Sequence, residues 1–425
     1  MLFRSHTHIG YGSPLEGSEK CHGAPLGAEN LAKSKAKLGW EYESFTCPNE
    51  VYEHCAQAAK AGEDEQSVWE AMFKAYEAEY PQLAAEYKAV MAGEMPNFDD
   101  IAGLYDFEKP MATRQTSAKV LNTLAPVIPQ LMGGSADLAP SNLSDMKNTA
   151  EVTYGTFSPD DFSGRNIHFG IREHAMAAIA NGMQLHGGLQ AYCATFFVFS
   201  DYCKPAMRLS ALMKLPVTYI MTHDSIGVGE DGPTHQPVEQ LIMLRSVPGL
   251  KVYRPADGKE TAAAWVSALT GKEPTVLVLT RQNLPQYENS GKCALKGGYI
   301  LEDCDGTPDV LLMGSGSEVE LCVKAKATLA EQGIKARVVS MPCFEEFDKQ
   351  PEEYKAKVLP SEVKARVCVE AGSSYSWYKY AGDAGEMVCM DTFGASAPAG
   401  KLFTHFGFTV ENVVAKALAS IEKTK

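Results

Sequence analysis

The sequence predicts an α/β protein, with two units built on parallel sheets preceded by a helix-rich segment. Three observations carry this. From Pro216 onward, strand-like runs alternate with helical patterns, as in PVTYIMTH, VEQLIMLRSV and TVLVLT at 275–280. The order restarts near Gly298 with DVLLM, ARVVSM, ARVCVE and MVCMDTF, and closes in a helix at Glu411–Lys423. Residues Glu50–Met91 carry helical spacing instead. Alternation of strand and helix favours parallel sheets covered on both faces, and 425 residues are enough for several cores.

Composition narrows the functions. A net charge of −14 disfavours a broad basic surface for nucleic acid, while leaving room for a local pocket for small anions. The 11 cysteines are odd in number and include no CxxC pair, which argues against a disulfide framework or a zinc site and for a reducing cytoplasm. The start MLFRSHTHIG has no apolar leader-like core, and no apolar run approaches bilayer length. No membrane partner is expected.

In chain order, Thr7–Pro14 reads as a short strand entering a Gly/Pro turn, with His6 and His8 on it. Trp69, Met72, Phe73 and Tyr76 recur at helical spacing and read as a packing stripe. Gly93–Pro110 reads as a linker. Beyond it, Val120–Ile128 and Leu131-Met132 are apolar.

Ligands of open α/β sheets bind beyond the carboxyl ends of the strands, so polar residues that follow strand runs are the first candidates. Three places qualify: Gly133–Asn142, His223–Pro237 and Arg281. As an ordinary loop, 223–237 would need its Gly and Pro only for turns, with Pro237 opening the next helix at its first position. Its two His and three acidic residues exceed that need and suit a polyhydroxylated ligand. His223, Asp231 and His235 lack the short-spaced ligand pair that a metal site would add, so no metal ligands are assigned.

Glu173 opens a helix of small and apolar residues, where an acid meets the helix dipole favourably; the alternative is a buried carboxylate bonded to a ligand ring. Phe196, Phe199 and Tyr202 stand at i, i+3 and i+6 and so would share a helical face, as core or as cover for a planar cofactor. Gly314–Ser317 invites a phosphate-loop reading. Ser317 and Glu320 instead fit a capping box, and the Walker lysine is absent.

Taken together, HGAPLG (22–27), GGSADLAPSN (133–142), HFGIREHAMAAIANG (168–182), ATFFVFSDY (194–202), THDSIGVGEDGPTHQP (222–237), TRQNLP (280–285) and GSEVEL (316–321) resemble successive motifs of the transketolase family. The resemblance implies a remnant of the diphosphate-binding domain at 1–95, a linker at 96–110, a pyrimidine-binding domain at 111–290 and a C-terminal domain at 298–425. It implies thiamine diphosphate as cofactor, with Mg2+ (or Ca2+) on its diphosphate, and ketol transfer between sugar phosphates in the pentose phosphate pathway. A cytoplasmic homodimer with sites between its subunits is also implied.

By the same resemblance, Glu173 hydrogen-bonds the aminopyrimidine and so promotes loss of the thiazolium C2 proton. A water-shielded carboxylate with a raised pKa would suit that exchange. Phe199 stacks on the pyrimidine, Phe196 and Tyr202 complete the wall, and Asp137 and His22 also meet the cofactor. Arg114, Ser141, His223 and Arg281 take the phosphate, and Asp231 a sugar hydroxyl. His22 and His235 act beside the reacting carbon.

The family's metal-binding Gly-Asp-Gly motif with its later Asn does not occur here. The expected cut lies before the strand at 7–12, inside a domain. That points to a truncated product, an incomplete gene model or a fragment rather than a split subunit, and to weak cofactor binding by the chain alone. Among sister enzymes (dihydroxyacetone synthase, deoxyxylulose phosphate synthase, a 2-oxoacid dehydrogenase β chain), the phosphate-type residues favour a transketolase over those acting on unphosphorylated acids. An inert oligomerisation or regulatory module is the alternative from another class.

Overall fold

The computed structural model describes residues 4–150 and 152–425, and the chain divides into two compact units, Met1–Tyr87 and Lys88–Lys425. The first is helical, with helices Gly27–Leu38 and Asn49–Glu79; a third, Pro81–Met91, crosses the unit boundary. The strand expected at 7–14 is absent among the described residues. Gly10 and Gly12 take φ of +64° and +83°, and Gly17 N–H donates to Ile9 C=O at 2.8 Å, so the backbone curls where extension was expected. His6 and His8 lie on irregular, exposed chain. The aromatic stripe is also not a core stripe, because helix Asn49–Glu79 buries no residue. Its rings pack on one another, Trp69 on Phe73 at 5.1 Å and Phe73 against Tyr87 at 5.3 Å.

The second unit is built on two large sheets and a two-stranded antiparallel one, Met111–Ala112 with Asn283–Leu284. Its strands are β1 Met111–Ala112, β2 Leu131–Ser135, β3 Asn166–His168, β4 Gln190–Phe196, β5 Thr218–Thr222, β6 Lys251–Tyr253, β7 Thr275–Leu279, β8 Asn283–Leu284, β9 Tyr299–Glu302, β10 Val310–Gly314, β11 Ala336–Ser340, β12 Arg366–Glu370 and β13 Glu386–Cys389. The first sheet has six strands in the order β3-β2-β4-β5-β7-β6, all parallel. Its inner strands are buried along their length, so they read as continuous apolar runs. Tyr192, Ile220 and Leu277 face one core with Leu121 and Trp265, while Cys193, Tyr219 and Val276 face the other with Met176 and Met207. The stretch expected as a linker is packed rather than loose: Phe98, Leu104 and Phe107 are buried in the first of these cores.

The second sheet has five strands in the order β13-β12-β10-β11-β9. Its edge strand β9, not anticipated, runs antiparallel to β11. The closing helix is Val410–Lys423, capped by the Thr409 side chain, which accepts from Asn412 N–H. Pro237 does not open a helix, since the next one begins at Gln240. The capping box at Ser317 does not form either. Ser317 Oγ donates to Glu318 Oε1 at 2.5 Å, and the helix Val319–Glu331 starts after a 3-10 turn, Gly316–Glu318.

Candidate functional site

The site is assembled at the carboxyl ends of β2, β4, β5 and β7. Two threonines stitch β7 to the helix Thr113–Leu124: Thr113 N–H donates to Thr280 Oγ1 at 3.0 Å and Thr280 N–H to Thr113 Oγ1 at 2.7 Å. Arg114 and Arg281, each the next residue, are thereby brought near one another. Arg114 Nη1 donates to the Ser141 carbonyl at 2.5 Å, while its buried Nε finds no partner among the described residues. Burial first, and Arg281 second, lower the pKa of Arg114.

His223 follows β5 directly and is only 4% exposed. It takes a φ of +63°, a left-handed conformation that a non-glycine residue holds only when its surroundings enforce it. Thr222 Oγ1 donates to Asn142 Oδ1 at 2.7 Å and stands 2.8 Å from His223 Nδ1. With the hydroxyl proton committed to Asn142, Nδ1 is assigned as the protonated nitrogen and Nε2 as the free acceptor. The ring stacks on Phe196 at 3.8 Å. Burial, then the charges of Arg114 and Arg281 and the proximity of His235, push His223 down to about 3, so it is neutral at pH 7.

The aromatic wall forms, but not on one helix. Phe196 ends β4, Phe199 closes a 3-10 turn and Tyr202 lies in the helix Ser200–Met213. Phe196 and Phe199 are parallel at 6.0 Å, and Phe199 and Tyr202 are 5.9 Å apart. His235 sets its ring edge against Phe199 at 5.7 Å and Phe196 at 6.5 Å.

Glu173 is the first residue of the helix Glu173–His186 and is half-buried, not shielded from water as expected. Its charge adds to burial in raising the Cys203 thiol to about 12. The Cys203 thiol also donates to the Phe199 backbone carbonyl at 3.8 Å, so Glu173 and the main chain of Phe199 share a neighbour.

The fold therefore brings Arg114, Ser141, His223 and Arg281 together, beside Phe196, Phe199, Tyr202 and His235. Asp137, with a φ of +60°, and Asp231, in the loop of His235, are exposed on the connections that follow β2 and β5. His22 belongs to the first unit, where it is exposed and ends the 3-10 turn Glu19–Cys21. Sequence reasoning passed over Asn142, Thr222, Thr113 and Thr280, whose hydroxyls and amide orient the pocket. For Thr222 and Thr280 the signal was a polar residue at or next to the end of a buried strand; Asn142, in the short helix Ala139–Asn142, carried no such mark.

Three family models match the chain: the thiamine diphosphate binding domain of transketolase at 1–96, its pyrimidine binding domain at 109–286 and a transketolase-like C-terminal domain at 297–409. A transketolase of Halalkalibacterium halodurans is 50% identical over 99% of this chain, which spans 64% of that relative's length. The transketolase structure from Leishmania mexicana superposes with a TM-score of 0.92 at 43% identity, covering 98% of this chain and 61% of that one. A Pichia stipitis transketolase in complex with sedoheptulose 7-phosphate gives 0.90 at 42% identity, covering 98% and 62%. With motifs, folds and relatives agreeing along it, the chain belongs to the transketolase family.

Proposed function

We propose that this chain contributes the pyrimidine-binding and sugar-phosphate-binding parts of a ketol-transfer site, in a thiamine-diphosphate transketolase that moves two-carbon units from a ketose phosphate to an aldose phosphate. The observation that carries this is the convergence of Arg114, Arg281 and His223 on one pocket beside the stacked Phe196 and Phe199. Two guanidinium groups held near each other, with no ion pair to a carboxylate among the described residues, call for an anionic ligand. The phosphorylated sugar in the complex of the Pichia stipitis relative supports a phosphate there.

The residues fit the planar end of the cofactor: the parallel rings of Phe196 and Phe199 offer a flat apolar face, and the half-buried carboxylate of Glu173 acts on Cys203, whose thiol bonds the Phe199 main chain. When bound, thiamine diphosphate supplies the electron sink for cleaving the bond beside a ketose carbonyl. Glu173 holds a proton on the aminopyrimidine, and Phe199, backed by Phe196 and flanked by Tyr202, covers the ring. Arg114, Arg281, His223 and Ser141 bind the phosphate, and Asp231 a sugar hydroxyl. His235 and His22 move protons at the oxygens of the reacting carbon, and Asp137 adds a cofactor contact.

No three His, Cys, Asp or Glu side chains converge for a cation among the described residues, so the Mg2+ or Ca2+ expected on the diphosphate is assigned no ligand here. A homodimer is part of this reading, supported by the exposed Ile179, Leu185, Leu209 and Leu212 on the helices Glu173–His186 and Ser200–Met213. So is a cytoplasmic location. Among the described residues no helix is long and apolar enough to cross a membrane.

The test is transfer from xylulose 5-phosphate to ribose 5-phosphate with thiamine diphosphate and Mg2+. Transfer that falls by about 100-fold or more in Glu173→Ala supports the reading, in line with the loss of a positioned acid–base group. Full activity in that variant would remove Glu173 from its role. A folded protein without transfer would favour an inert module.

A further inference from the structure

Each phosphate-pocket residue that follows a strand of the first sheet is succeeded by a residue tied to one turn of the second sheet. Asp224 succeeds His223, and Arg254 Nε and Nη2 donate to its Oδ2 at 3.0 and 2.7 Å. The remaining nitrogen of Arg254, Nη1, donates to the Ser315 carbonyl at 2.8 Å and to the Glu318 carboxylate. Gln282 succeeds Arg281, and its Nε2 donates to Ser317 Oγ at 3.2 Å.

The two ties meet, since Ser317 Oγ also donates to Glu318 Oε1 at 2.5 Å. Asp224, Arg254, Ser315 and Glu318 are no more than 1% exposed. Gly316 admits no side chain, because a Cβ there would stand 2.6 Å from the Arg254 guanidinium carbon. The guanidinium thus fills the glycine-rich turn, leaving it no room to cradle a phosphate.

We infer that the turn Ser315–Glu318 of the second sheet is the positioning device of the phosphate pocket, setting the affinity for phosphorylated sugars through Arg254–Asp224–His223 and Gln282–Arg281 without touching substrate. The physical need is plain. His223 sits at a positive φ that its own chain disfavours, and strain of this kind persists only where neighbours over-determine the backbone. The two-nitrogen clamp of a buried arginine on the next residue does that. Gln282 acts likewise on the other side of the loop: its side chain packs so closely on Gly227 that a Cβ there would meet it at 2.4 Å. Ser317, Glu318, Gln282 and Arg254 are therefore positioning residues.

This inference rests on the reading of the pocket as a phosphate site, and the experiment separates the two. Ribose 5-phosphate binding to the full chain is measured by calorimetry, and the His223 ring nitrogens are followed by NMR. Ser317→Ala removes the hydroxyl that joins Gln282 to Glu318; Ser317→Thr restores the hydroxyl; Glu318→Gln tests the charge.

Ser317→Ala is expected to weaken ribose 5-phosphate binding about tenfold, the worth of one well-placed hydrogen bond. It should also shift the His223 ring signals while the melting temperature holds, and Ser317→Thr should recover both. If the unaltered chain binds ribose 5-phosphate and Arg281→Ala abolishes it, yet Ser317→Ala and Glu318→Gln change neither affinity nor ring signals, the inference is overturned and the pocket reading stands. If the unaltered chain binds no ribose 5-phosphate, the pocket reading fails and the inference falls with it.

Discussion

The two large sheets of the second unit, one all-parallel and one parallel but for its edge strand β9, obey one topological rule and use it in opposite ways. In both, polar residues gather where the strands end. Beyond the first sheet Arg114 and Arg281 lie near one another, His223 is held neutral, and His235 stands against an aromatic wall. Beyond the second sheet the same crevice is filled from within. Arg254 occupies the turn after β10, and Arg245 forms a two-pronged pair with Glu370 at the end of β12, at 2.7 and 2.9 Å. Glu260 accepts from Ser340, the last residue of β11, at 2.6 Å. One set of strand ends thus keeps Arg114 and Arg281 unpaired by carboxylates among the described residues, as the proposed function requires, and the other is filled by side chains of its neighbour.

That contrast can be broken hardest at Arg254. It is fully buried between Asp224 and Glu318, and their attraction outweighs the burial that would otherwise lower its pKa. Replacing one partner of such a cluster strands charge in the interior. Arg254→Met is therefore expected to cost about 3–5 kcal/mol in urea unfolding. Replacing Asp224 and Glu318 by Leu as well should return part of that loss, because a well-packed apolar cluster can match a buried ionic one.

A smaller effect comes from the one filled corner without a cation. Glu260 accepts from Ala256 N–H, Tyr299 Oη and Ser340 Oγ at 2.7, 2.7 and 2.6 Å, three neutral donors. Burial, and then nearby Asp257, push its carboxyl from 4.5 up to about 7. The folded chain therefore keeps a proton that the unfolded chain releases at lower pH. This group's contribution is complete below about pH 4.5 and is lost as the pH rises through about 7. Unfolding free energy should fall by about 1–3 kcal/mol across that window on its account. Glu260→Gln should flatten this part of the profile, which denaturation at pH 5 and pH 8 would read.

The filled sheet was easier to read as fold than as chemistry. Its strands β10, β11 and β12 announce themselves as apolar runs because both faces are covered. Strand β9 escaped because Tyr299–Glu302 is short and only alternately buried at an edge. The opening segment misled in the opposite direction: Thr7–Tyr11 has strand-like residues, but the positive φ of Gly10 and Gly12 decides its path.

In the pocket, His223 and Arg281 were legible because a polar residue right after a buried strand is conspicuous. Arg254, two sites beyond the apolar Val252, bears much the same mark. Its meaning lay in Glu318 and Asp224, remote in sequence, and local pattern says nothing of such partners. Phe196, Phe199 and Tyr202 were found through a helical spacing they do not have. The strand end, turn and helix start place them side by side all the same.

The smallest expected change in stability is at Arg281, the counterpart of Arg254 on the open side. Arg281 is exposed, and its recorded hydrogen bond, to the Val228 carbonyl, is long at 3.5 Å. Its charge works against Arg114, whose pKa it helps burial to lower. An arginine so placed gives the free protein little and costs it some repulsion, as groups reserved for a ligand commonly do. Arg281→Met is therefore expected to shift unfolding by no more than about 0.5 kcal/mol, in the stabilising direction if the repulsion dominates. It should also let His223 gain a proton more readily, because one of the two charges that hold it neutral is gone. The NMR titration of the His223 ring should then move to higher pH while the same variant loses ribose 5-phosphate. A large loss of stability instead would mean that Arg281 is built into the fold as Arg254 is, and the distinction between the open and the filled sheet would disappear.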